Sequence, residues 1–262
     1  MLAGTQMTYA QTAEEAAEVL RLSIPEINKS FPINASVVTM DSVAYVAPDL
    51  VYYITVDEKQ VSVKDYEAVL EQSATTILSS LMGSNDDNPE LYNALVKSGS
   101  NVAYELKGST SGSVGRVAVS NQYIRVMAGD ISADEAMDMI TEYVAQANST
   151  LPQNVGDGMT FTKMVLEDNY IVNYFDTDES SMSIQAYQDY KEKGTYMEES
   201  IMESLKSLGN AQVDIMNRCI LISGCGMRYV YYGTQSEISV SFDITPQMFR
   251  ENVMGGGNVT EE

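Results

Sequence analysis

The 262-residue chain contains no histidine. That one absence removes His-centred triads, histidine general bases and histidine-containing metal sites together. Carboxylates, Tyr, Lys, Ser and two thiols are what remain for any chemistry. The thiols, Cys219 and Cys225, belong to no paired CxxC arrangement. Bridging them would require the Ser223-Gly224 turn to fold the chain back, and two buried free thiols are the simpler reading. Cations are also scarce: 15 Lys and Arg stand against 37 Asp and Glu, for a formal net charge of −22. Nucleic-acid binders need a cationic footprint, so this balance argues against nucleic acid and against anionic membrane surfaces as partners. It suits a solvated exterior. No uncharged apolar run is long enough to span a bilayer. Residues 1–10 have neither the basic start nor the apolar core of a signal peptide, which leaves room for a mature secreted protein whose leader is absent from the given sequence.

What is present is a repeat. Thr12-Ala13-Glu14-Glu15-Ala16, followed by Asn28 and Phe31-Pro32, returns 120 positions on as Ser132-Ala133-Asp134-Glu135-Ala136, followed by Asn148 and Leu151-Pro152. Val61-Ser62-Val63 with Tyr66 returns as Met182-Ser183-Ile184 with Tyr187, and Ser98-Gly99 with Tyr104 and Gly108 as Ser223-Gly224 with Tyr229 and Gly233. The displacement drifts from 120 at Thr12 and Ser132 to 121 at Tyr66 and Tyr187 and 125 at Gly108 and Gly233, as small loop insertions would cause. Such self-similarity sets the architecture as two copies of one unit. The copies are expected at residues 10–129 and 130–254, with 255–262 a disordered Gly-rich tail.

Each copy reads as α-β-β-α-α-β-β. Thr12 with Glu15 and Ser132 with Glu135 are capping boxes. Apolar residues then recur at three- and four-residue steps, as in Ala136, Met139, Ile140, Tyr143, Val144 and Ala147. Pro25 is expected to kink or end the first helix. Strands follow at 36–46 and 50–56, and at 159–166 and 169–176. Ser62 and Ser183 cap a second helix. A third begins at Asn88-Pro89 in the first copy and runs from Ala211 to Ile222 in the second, each stopping at Gly99 or Gly224. A final hairpin occupies 101–107 and 113–119, matched by 226–232 and 237–243. Residues 120–131 join the copies. The fold class expected is α+β: two tandem copies related by pseudo-twofold duplication, each an antiparallel sheet with its helices packed on one face.

The segment from Asn88 through Pro89-Glu90-Leu91-Tyr92 to Gly99, followed by a strand with Tyr104, resembles a module of uncharacterised bacterial cell-envelope proteins, secreted or lipid-anchored. Met227-Arg228-Tyr229-Val230-Tyr231-Tyr232-Gly233 is similar to the Tyr-rich hairpin of that module. The second copy lacks the Asn-Pro start, and the first lacks the Arg-Tyr pair. The resemblance implies an extracytoplasmic location, in the periplasm or at the cell surface, and it implies no activity.

Two clusters are candidate sites. Asp176, Asp178 and Glu179 end a strand and could supply oxygen ligands to a metal such as Ca²⁺. The calcium-loop pattern fails, however, with no Gly at the sixth position and Tyr187 at the twelfth. A solvated loop whose acids favour the next helix N-terminus is the alternative. Arg228, Tyr229 and Tyr231 could form a ligand-binding surface for a glycan or peptide. Alternation puts Tyr229 and Tyr231 on one face of the strand, where a place in the core is the competing reading. No cofactor motif is present. The functional expectation is a non-catalytic extracytoplasmic binding or interaction protein with an unknown protein or glycan partner. The alternative is a carboxylate-dependent hydrolase acting on a glycan or similar envelope substrate.

Overall fold

The computed structural model describes residues 12–83, 89–180, 183–194, 196–207 and 211–252. The expected tail at 255–262, the helix start at Asn88 and the repeat position Met182 lie outside them. The chain divides into two compact units, Met1–Asp130 and Ile131–Glu262. The first contains α1 (Ala13–Ile27), β1 (Ile33–Ala35), β2 (Val38–Val46), β3 (Asp49–Val56), α2 (Val63–Gly83), α3 (Pro89–Lys97), β4 (Asn101–Gly108), β5 (Val114–Val119) and α4 (Asn121–Ala128). The second contains α5 (Ala133–Asn148), β6 (Gln153–Gly156), β7 (Met159–Glu167), β8 (Tyr170–Thr177), α6 (Ile184–Lys193), α7 (Tyr196–Ser207), α8 (Ala211–Ser223), β9 (Gly226–Gly233), β10 (Ser239–Ile244) and α9 (Pro246–Asn252).

The architecture is α+β. Each unit has one five-stranded sheet, ordered β1-β2-β3-β4-β5 in the first and β10-β9-β8-β7-β6 in the second. The hairpins anticipated from sequence are antiparallel, but the two of each unit join through a parallel pair, β3 with β4 and β8 with β9. A parallel junction needs a long crossover, and the segments carrying α2–α3 and α6–α8 supply it. Registers repeat as well: Tyr52 lies opposite Tyr104, and Asn173 opposite Tyr229. Both second strands shift register at the same place, between Met40 and Ser42 and between Phe161 and Lys163.

Several local expectations need correction. A short third strand, β1 or β6, edges each sheet. The joining segment 120–131 contains α4, whose N-cap Ser120 accepts from the Tyr123 amide and whose C-cap Gly129 is left-handed. Pro25 does not stop α1, which continues to Ile27; it sits in the last turn, where the lost amide bond is one of the final ones of the ladder. The second helix of the second unit breaks into α6 and α7 at Gly194, which has a φ of 90°. Both capping boxes form, and Gly99 and Gly224 end their helices with φ of 75° and 67°, a backbone region open to glycine at little cost.

Two side-chain devices tie helix to sheet in both units. At the end of α1, Asn28 donates from Nδ2 to the Val43 carbonyl at 2.8 Å and accepts from the Val43 amide at 2.8 Å. In the second unit Asn148 does the same to Met164, at 2.6 and 3.0 Å. The edge strand β1 pairs only with Val38–Met40, so the sheet has no strand to offer Val43 on that side. The carboxamide completes the ladder and fixes where the first helix ends.

The second device is a carboxylate in the hairpin turn. Glu58 accepts from the Thr110 amide at 2.8 Å and the Ser111 amide at 2.7 Å, and Glu179 from the Gln235 amide at 3.0 Å and the Ser236 amide at 2.6 Å. Glycine makes room for it: a Cβ on Gly108 would come within 2.5 Å of Glu58, and one on Gly233 within 2.8 Å of Glu179. Hydrogen bonds from the Ser111 side chain and backbone, then from Thr110, lower the Glu58 pKa from 4.5 to about 2.

Asn28→Ala is expected to lower stability by about 1–3 kcal/mol, the cost of leaving part-buried backbone groups unpaired, measured by urea unfolding. Because the Glu58 pKa falls on folding, from 4.5 to about 2, its contribution is present above pH 4.5 and lost as pH drops toward 2. The urea midpoint of the wild type should therefore fall more steeply over that window than that of Glu58→Gln.

Candidate functional site

Three rows of side chains cross the helix-covered face of the second sheet. Phe161, Phe175 and Tyr231 stand in register across β7, β8 and β9. Their rings stack at 4.8 Å between Phe161 and Phe175 and 5.3 Å between Phe175 and Tyr231. Tyr187 of α6 closes the end of this ladder at 4.5 Å from Tyr231. The next row is Met164, Asn173, Tyr229 and Phe242, and the third is Leu166, Ile171, Met227 and Ile244. Phe242 and Ile244 are fully buried, each such side chain contributing about 1.5–3 kcal/mol on removal from water.

Over the middle of these rows lies a cavity of about 400 Å³. Its floor is Phe161, Met164, Ile171, Asn173, Phe175, Met227 and Tyr229, and its roof is Tyr143 of α5, Leu205 of α7, and Val213, Met216, Asn217 and Ile220 of α8. The volume is within the range of small-molecule sites. No charged side chain is among the described residues lining it.

The repeat explains the cavity. The first unit holds Tyr52 where the second holds Asn173, opposite Tyr104 and Tyr229 respectively. It also holds Tyr92 where the second holds Asn217, at the 125-residue displacement of this helix. Tyr52 and Tyr104 stack at 5.5 Å. Two phenol rings thus become two carboxamides at corresponding positions of units whose sheets share strand order and register. Packed interiors relax only partly around such a loss, so space is left behind.

Both carboxamides are buried, at 4% exposure for Asn173 and 5% for Asn217. Asn173 makes long contacts from Nδ2 to the Ile171 and Arg228 carbonyls, at 3.5 and 3.4 Å. The Asn217 side chain makes no hydrogen bond to a described residue; its polar atoms open to the cavity rather than being sealed from water, Thr177 Oγ1 being the buried side-chain atom that lacks a partner among the described residues. Burial also pushes the Tyr229 hydroxyl far up, aided by Tyr231 and Tyr143, so it remains a neutral phenol at any physiological pH.

The residues singled out from sequence separate. Tyr229 lines this cavity and Tyr231 is in the aromatic core. Arg228 points to the opposite face, where its guanidinium pairs with Asp243 at 2.7 and 2.8 Å and lies 4.8 Å from the Tyr170 ring centre. Asp178 and Glu179 meet at the β9–β10 turn, Asp178 accepting from the Ser180 amide at 3.0 Å and from Gln235 Nε2 at 2.9 Å. Those backbone and side-chain donors lower both carboxyl pKa values. Asp176 stays in β8, opposite Thr160 and Tyr232. Among the described residues no group of three or more Cys, Asp or Glu side chains gathers as a metal site. Cys219 and Cys225 are both buried and unbridged, and burial raises the Cys219 thiol to about 11, which keeps it protonated.

Sequence reasoning missed Asn173 and Asn217. The signal was available in the repeat: a Tyr-to-Asn exchange between copies at a strand position and a helix position that both face the core.

A larger depression of about 600 Å³ lies on the first unit's other sheet face. Among its polar groups Thr55 donates to Asp41 at 2.7 Å and Arg116 to Glu105 at 2.6 Å. The carboxamide-lined cavity, covered by helices, is the candidate site.

Asn217→Leu, an apolar residue of similar volume facing the same cavity, is expected to leave stability at or above that of the wild type. Chemical denaturation of the two proteins checks this.

No family model and no curated protein matches the chain. Among solved structures, a candidate secreted protein of Pseudomonas aeruginosa is similar over 43% of this chain and 96% of its own, at 11% identity and a TM-score of 0.30.

Proposed function

We propose that this is a non-catalytic binding protein whose second unit takes up one small molecule in the cavity beneath α8. The observation that carries the reading is the paired exchange of Tyr52 and Tyr92 for Asn173 and Asn217, the two carboxamides lining a cavity of about 400 Å³ in the second unit. The lining favours binding over hydrolysis, since a carboxylate-dependent hydrolase needs acids facing each other across its cleft and the described lining has none.

The first unit acts as a filled scaffold and the second as the binding copy. The resemblance of residues 88–99 and 227–233 to envelope modules supports a place outside the cytoplasm. Among the described residues no helix is long and apolar enough to cross a membrane. In that setting the cavity would hold its ligand for storage, delivery or sensing, with any protein partner meeting the exterior of the units.

The neutral fluorophore 1-aminoanthracene is a suitable probe. Saturable enhancement with one equivalent per chain is expected, lost in the double variant Asn173→Tyr/Asn217→Tyr while the circular dichroism spectrum and melting temperature are maintained. Binding of two equivalents, or binding unchanged in the double variant, would sink the reading.

A further inference from the structure

The lining of this cavity also specifies what kind of molecule it takes. We infer that the ligand is an uncharged aromatic molecule carrying an amide-type group, an aryl carboxamide or lactam, that pairs with Asn217. The inference rests on the binding role proposed above and names the chemistry of the same site.

Three observations lead to it. First, charge is disfavoured: the described lining contains no Lys, Arg, Asp or Glu, and an ion moved into such surroundings without a counter-charge is costly. Second, the apolar lining suits rings. Phe161, Phe175 and Tyr229 present near-parallel rings, with interplanar angles of 17° for the first pair and 12° for Phe175 with Tyr229. Met164, Met216 and Met227 surround them. Thioethers make favourable contacts with aromatic edges and adapt their shape to a planar guest, and ring edges beside a guest ring allow edge-to-face packing.

Third, the polar group is selective. A carboxamide offers two donors on nitrogen and an acceptor on oxygen. The Asn217 side chain makes no hydrogen bond to a described residue and opens to the cavity, so both kinds of group are available at one place. A ligand with only an acceptor, such as a ketone or ether, leaves the Asn217 oxygen unmatched; a hydrocarbon leaves both unmatched. An amide-type group, with N–H beside C=O, answers both through two parallel hydrogen bonds. Sites built to hydrogen-bond a ligand group discriminate strongly against analogues lacking it, because the buried partner is then stranded. The helix placement reinforces this: α8 is one of the crossover helices held over the sheet, so Asn217 is presented from a regular element rather than a loop.

The test compares three probes of one shape by isothermal titration calorimetry: naphthalene-2-carboxamide, 2-methylnaphthalene and naphthalene-2-carboxylate. The carboxamide is expected to bind at one equivalent, the hydrocarbon about tenfold or more weakly, and the carboxylate not measurably. Asn217→Leu should erase the preference, bringing carboxamide and hydrocarbon within about twofold, while a melting temperature at or above wild type shows that it folds. Equal affinity for carboxamide and hydrocarbon in the wild type, or a preference that survives Asn217→Leu, would overturn the ligand class and leave the binding role standing. Preferential binding of the carboxylate would overturn the class in the same way. If none of the three probes binds and 1-aminoanthracene also fails, with solvent satisfying the two carboxamides, the binding role itself falls.

Discussion

Each unit is organised around the parallel pairing of its two central strands. A hairpin can close on itself with a short turn, but two hairpins joined in parallel require the chain to cross back over the sheet, and the crossover must carry enough structure to cover it. In the first unit α2 and α3 fill that role, and in the second α6, α7 and α8. The helical layer lies on one face for this reason. The most buried strands are the central ones, with Leu50, Val51, Ile54 and Val56 in β3 and Ile171, Val172 and Asn173 in β8.

Two contacts outside the core side chains recur in both units. Asn28 and Asn148 bind the first helix to the backbone of the second strand, and Glu58 and Glu179 hold the last turn closed. Rings in the first unit and carboxamides in the second occupy equivalent positions on sheets with the same registers and the same bulge, and the carboxamides of the second line its cavity. Duplication followed by divergence at two positions thus gives the two units different interiors on one fold, and any function is to be argued from the site rather than from the fold that both copies share.

Electrostatics has a smaller part. The exterior carries an excess of acids, and the carboxylates with lowered pKa values, Glu58, Asp178 and Glu179, are held by backbone amides and neutral side chains of turns and loops. Their role is local fastening. Arg228, which stood out in the sequence, is occupied with Asp243 and Tyr170 on the face away from the cavity.

Much of this was legible from the amino acids alone. Capping boxes at Thr12 and Ser132, the strand pairs flanking their turns, the glycine stops at 99 and 224 and the 120-residue repeat all follow from local physical chemistry: amide donors needing partners, side chains alternating across a strand, a left-handed residue ending a helix. The sequence also placed Tyr229 and Tyr231 on one face of their strand. What it could not supply were the facts that depend on distant segments meeting. Parallel joining of the hairpins is a choice between strands more than forty residues apart, as Val56 and Asn101 are, and hairpin-scale signals carry no information about it. Asn173 and Asn217 are ordinary polar residues in isolation. Only when the crossover lays α8 over β8 do they become two buried amides around one space, because burial and hydrogen-bond satisfaction are properties of surroundings that tertiary packing alone decides.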